Sequence, residues 1–156
     1  MRVVRLGDTT GQPAFFMNNA QDFVTIARSY LGCPHRHQGR SRNGLDCVGL
    51  VIVAGKEAGA LPSDFELPTY SQPPRATLFD ECLPTVAMPV NGEAQPGDLL
   101  VVGHKPGGKP RHLGIRTDVG VIWLHPALSL GRVTESRIDS QIRALLLSVW
   151  RFKAFE

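Results

Sequence analysis

Apolar residues recur along this chain in two rhythms, and the switch between them divides it. Over residues 20–31, Phe23, Ile26, Ala27, Tyr30 and Leu31 follow three- and four-residue spacing, the mark of a helix with one buried face. Asn18 or Asn19 offers an N-cap, and Gly32 and Pro34 end the run. A second stripe, Cys47, Leu50, Val51, Ala54 and Ala58, predicts a helix over about Asp46–Ala58, stopped by Gly59. Further on the rhythm shortens. Leu99–Val102, His112–Arg116, Val121–His125, Arg132–Glu135 and Leu147–Phe152 read as strands, and Ala76–Val86 as a short helix. Between them, Cys33–Gly44 is a loop rich in Arg, His, Gly and Ser, Leu61–Pro74 is an extended linker, Gln95-Pro-Gly-Asp98 is a turn, and Gly103–Arg111 is a long polar loop. Helices first and antiparallel strands after predict an α+β fold rather than alternating βαβ units. Residues 1–19 read as an N-terminal arm with a short hairpin, Val3–Leu6 with Ala14–Met17, ahead of a single domain over 20–156.

Composition narrows this picture modestly. At 156 residues the chain fits one domain, and 42% hydrophobic with 20% charged residues excludes wholesale disorder. Sixteen glycines and twelve prolines argue against a helical bundle. A net charge of +3 is too small to argue for a nucleic-acid partner. No signal-peptide pattern opens the chain and no apolar run is long enough to span a membrane, so cytoplasmic synthesis without a membrane partner is expected, with the chain either kept there or exported by a route that reads no N-terminal signal.

Three cysteines, Cys33, Cys47 and Cys82, form neither a disulfide framework nor a Cys-x-x-Cys pair. Cys47 follows the expected N-cap Asp46, so free backbone N–H groups and the helix dipole favour a thiolate there. The alternative is a small buried core residue. A cysteine nucleophile needs a base, and the base needs a group that fixes its tautomer. His112 opens one predicted strand and His125 closes the next, which can set their rings side by side. Zinc on Cys47, His112 and His125 is the rival reading, but closely spaced ligand pairs are absent and no metal or other cofactor is expected. His104, in a Gly- and Pro-rich loop, reads as a surface residue.

These residues carry a resemblance. Ala27-Arg-Ser-Tyr-Leu-Gly-Cys-Pro-His35, then Gly39, Gly44 and Asp46-Cys47-Val-Gly-Leu50, resemble the active-site signature of the NlpC-type cell-wall cysteine peptidases. So do Gln95-Pro-Gly-Asp-Leu-Leu100, His112-Leu-Gly-Ile115 and Leu124-His125, in the same order over most of the chain. The Arg36-His-Gln38 variant and the compact length are most similar to the phage-tail and gene-transfer-agent branch. The resemblance implies a circularly permuted papain-like fold, with N-terminal helices packed on an antiparallel sheet of about five to six strands. It implies Cys47 as nucleophile, His112 as general base and His125 as the group orienting His112. It also implies cleavage of peptidoglycan stem peptides, typically between D-glutamate and diaminopimelate, with phage tail proteins as partners. His35, Asp46, Arg36 and Arg40 are candidates for oxyanion stabilisation or substrate binding. The alternatives are a weakly active or non-catalytic tail component, and an acyl or amide transferase on the same fold. The chain departs from the pattern where His35 replaces the usual tyrosine, Val48 the usual serine after the cysteine, and Pro126 the common alanine.

Overall fold

The computed structural model describes residues 5–6, 14–15 and 19–156. Strands β1 (Arg5–Leu6) and β2 (Ala14–Phe15) pair antiparallel; the rest of the expected arm lies outside the described residues. Helix α1 covers Ala20–Arg28. Its N-cap is Asn19, whose Oδ1 accepts from the Asp22 N–H at 2.8 Å. Phe23, Val24, Ile26 and Ala27 are buried. The helix stops three residues short of Leu31, which is therefore exposed instead of joining the buried face. The following loop contains a small hairpin that periodicity did not reveal, β3 (Arg40–Ser41) with β4 (Gly44–Leu45).

Helix α2 runs Cys47–Glu57 and is buried on nearly every side. Its apolar composition all round suits a helix packed between α1 and the sheet. After the linker, a π-helical turn (Leu78–Cys82) leads into α3 (Leu83–Val86) and strand β5 (Ala87–Pro89). Then follow β6 (Leu99–Val102), β7 (His112–Arg116), β8 (Val121–Trp123), β9 (Thr134–Ser136), α4 (Ser140–Leu145) and β10 (Leu146–Phe152), closed by a 3-10 turn over Lys153–Phe155. The second short helix, α4, was not foreseen, and Leu124 and His125 lie just beyond β8 rather than at its end.

Strands β5-β10-β6-β7-β8-β9 form one antiparallel sheet. One face, with Leu99, Val101, Leu113, Ile115, Ile122 and Phe152, packs in the core with residues of α1 and α2. The other, with Leu100, Val102, Val121, Trp123 and Val149, is capped by Ile142 and Leu145 of α4. Cover on both faces explains why β6 is apolar at every position, as buried strands are. This is the α+β arrangement that the order of the elements predicted.

Candidate active site

The N-terminus of α2 is fixed from three directions. Asp46 is its N-cap, Oδ1 accepting from the Gly49 N–H at 2.7 Å. Its Oδ2 accepts from the Gln38 N–H at 2.7 Å, which ties the preceding loop to the helix start. The Tyr70 hydroxyl of the linker donates to the same oxygen, also at 2.7 Å. Gly49 has no room for a side chain: a Cβ there would lie 2.1 Å from the Gly39 carbonyl oxygen. Loop and helix therefore close together around Cys47.

Cys47 is buried, 4% exposed, and lines a cavity of about 410 Å³. Burial pushes its thiol up to about 12, while backbone N–H groups of Leu113, Val48 and Cys47 itself pull the other way. The resting thiolate expected from the helix start is thus overridden by desolvation, because the same helix that supplies the dipole sits in the core. Leu113 is the second residue of β7, so the strand that opens with His112 lies against the cysteine.

Cross-strand register brings the histidines together. β7 pairs Gly114 with Trp123 of β8, and continuing that register sets His112 opposite His125. Their ring centroids are 5.1 Å apart and both residues are 6% exposed. Burial, followed by the neighbouring His125, His104, Arg111 and His35, lowers the His112 imidazole to about 3. Burial and then His104 also lower His125. His125 is held rigidly: its backbone N–H donates to Ser129 Oγ at 2.8 Å, its Nδ1 accepts from the Ala127 N–H at 3.1 Å, and Trp123 packs against its ring. Among the described residues, His112 Nδ1 and His125 Nε2 are buried without a hydrogen-bond partner.

Cys47, His112, His125, His35 and Asp46 all line the one cavity. Asp46 has its oxygens occupied as acceptors, so its carboxylate anchors the helix start rather than offering a donor to a substrate. Exposed His35 donates its backbone N–H to the Gly131 carbonyl at 2.9 Å and stands at the wall. Arg36 and Arg40 are not on the cavity wall. Arg40 is committed to Glu66, at 2.9–3.2 Å, and to the Tyr70 hydroxyl at 3.0 Å. Three contributors were missed. Tyr70 and the Gln72-Pro73-Pro74 segment belong to the linker, whose prolines signal extended chain but not where it docks. His104 is exposed, as its loop predicted, yet its Nε2 lies 2.9 Å from His112 Nε2. Among the described residues no three His, Cys, Asp or Glu side chains are grouped to hold a metal ion.

The arrangement has the parts that acyl transfer uses. It offers a thiol at a helix N-terminus, an imidazole on the adjoining strand, and free backbone N–H groups beside the sulfur.

Known proteins resemble this chain in sequence and in fold. No protein-family model matches the chain. It is 30% identical over 115 residues to the probable endopeptidase NlpC of Escherichia coli K12, an alignment covering 72% of this chain and 64% of that protein. The chain thus spans a little under two thirds of that relative's length. Its fold is similar to an NlpC/P60 family protein from Bacillus cereus, with a TM-score of 0.63 and 20% identity, over 91% of this chain and 45% of the other. It is also similar to the NlpC/p60 domain of the peptidoglycan hydrolase SagA, with a TM-score of 0.56 and 20% identity, over 84% and 97% of the two chains. The fold is therefore the papain-like one of these structures. In sequence and in fold the chain is thus similar to NlpC/P60 proteins.

Proposed function

We propose that the chain is a cysteine endopeptidase that hydrolyses peptide bonds in bacterial peptidoglycan stem peptides, of the D-glutamyl–diaminopimelate type. The observation that carries this reading is the convergence of Cys47 at the start of α2 with His112 and His125 on one cavity. In the proposed cycle the Cys47 S–H proton passes to His112, and the sulfur attacks the scissile carbonyl carbon. The oxyanion forms beside the N–H groups at the helix start. Collapse to a thioester expels the amine, which takes the proton from His112. Water then gives a proton to His112 and attacks the thioester, releasing the carboxylic acid and the thiol. Burial opposes charge on both groups at rest. The ion pair therefore forms only during proton transfer, when thiolate and imidazolium stabilise each other. His125 packs on His112 and restrains its ring, and His35 at the wall is a candidate substrate contact.

The Arg36-His37-Gln38 variant supports a place in a phage or prophage tail, made in the cytoplasm and acting at the wall. A second reading, a tail component with little turnover, is favoured by the burial of Cys47 and by His35 where the family carries tyrosine. Digestion of purified peptidoglycan followed by mass analysis of the fragments tests the proposal. New amino termini at diaminopimelate support it; an unchanged muropeptide profile selects the second reading. Adducts with added amines in place of hydrolysed stems would indicate transferase activity.

A further inference from the structure

The inference drawn here deepens the peptidase reading and rests on it. His104 has no part in the motifs. Two imidazole nitrogens 2.9 Å apart, His104 Nε2 and His112 Nε2, share a hydrogen bond in which one carries the proton and the other accepts. The ring of His125 is unsuited to accept from His112. Its Nδ1 lone pair takes the Ala127 N–H, so the neutral ring carries its own proton on Nε2, which can only donate. Yet a base at His112 that takes the thiol proton on Nδ1 must carry its resting proton on Nε2, facing an acceptor. We propose that His104 is that acceptor: the loop over 103–111 delivers a positioning residue whose Nε2 lone pair holds His112 in the tautomer with Nδ1 free for Cys47.

The loop is built to present it. One end is fixed by the Gly103 N–H donating to the Leu145 carbonyl at 3.1 Å, the other by the Arg111 N–H donating to the Val102 carbonyl at 2.9 Å. Within it the Gly108 N–H donates to the Lys105 carbonyl at 3.0 Å, and a Cβ on Gly103 would lie 2.9 Å from the Lys109 carbonyl oxygen. His112 is buried while His104 is exposed, so solvent reaches the outer imidazole first. The other groups facing His112 are Cys47, His125, His35 and Arg111, and none of them bonds to its Nε2.

The test compares wild type with His104→Ala and His104→Gln, using steady-state kinetics on peptidoglycan fragments and nitrogen NMR of the resting His112 ring. The wild-type ring should carry its proton on Nε2. In His104→Ala the proton should redistribute toward Nδ1, and kcat should fall by about ten- to a hundredfold with KM nearly unchanged. His104→Gln, whose Oε1 also accepts, should recover most of kcat and restore the proton to Nε2. A wild-type His112 protonated on Nδ1, or a His104→Ala variant with unchanged kcat, overturns the proposal. The NMR readout needs no substrate. A protein that leaves peptidoglycan intact but shows the Nε2–H tautomer, lost in His104→Ala, would refute the peptidase reading and keep this one.

Discussion

His112 and His125 share a cavity, a register and the same degree of burial, yet the account gives them unequal parts. His112 must both take and return a proton, so His112→Asn or His112→Gln should remove nearly all turnover, on the order of a hundredfold to ten-thousandfold. His125 contributes ring packing and a rigid turn held by Ser129 and Ala127. An amide can keep much of that shape, so His125→Asn or His125→Gln should retain measurable activity. Parallel kcat determinations on the four variants check this, and equal loss at both positions would show that the two rings work as one unit.

At the level of elements, the start of α2 depends on a backbone approach that only glycine permits. Gly49→Ala would gain up to about 1 kcal/mol of helix propensity. Against that stands a Cβ placed 2.1 Å from the Gly39 carbonyl, and relieving such overpacking typically costs about 1–3 kcal/mol. The clash should win. Thermal unfolding of Gly49→Ala should show a lower Tm, with reduced activity as the loop bearing His35 is pushed away; a Tm at or above wild type would contradict it. The same region shows what a sequence reveals. Asp46 and Cys47 were legible because a cap and an apolar stripe are local signals. The pairing of His112 with His125 was legible because two adjacent strands fix a register. The docking of Tyr70 on Asp46, and of His104 on His112, depends on where long connections fold back, and spacing does not encode that. Helix α4 was missed for a related reason: its six residues bury only Ile142 and Leu145, too few to set a period.

For the molecule as a whole, the site's burial links function to acid stability. An imidazole in the unfolded chain titrates near ~6.5, whereas that of His112 in the fold is lowered to about 3. Between those values the unfolded chain binds a proton that the folded one does not. Stability should therefore fall on acidification through that window, by up to about 1.4 kcal/mol per pH unit for His112, with His125 adding in the same direction. Below the carboxylate range the clamp of Glu135 on Arg28, which joins β9 to α1, is lost as well. Arg28 holds the Glu135 carboxyl below its ordinary value, and that contribution disappears as the acid protonates. Urea unfolding at stepped pH should show the slope begin near pH ~6.5, and His112→Gln should flatten it; an unchanged slope in that variant would place the proton uptake elsewhere.

The central claim, that the Cys47 sulfur breaks a stem-peptide bond, meets its most direct test in the digestion of purified peptidoglycan by wild type and Cys47→Ala, with circular dichroism confirming the fold of both. Cys33→Ala and Cys82→Ala serve as thiol controls. The account predicts fragments from wild type and both controls, and none above background from a folded Cys47→Ala. Wild-type fragment release by folded Cys47→Ala would contradict it.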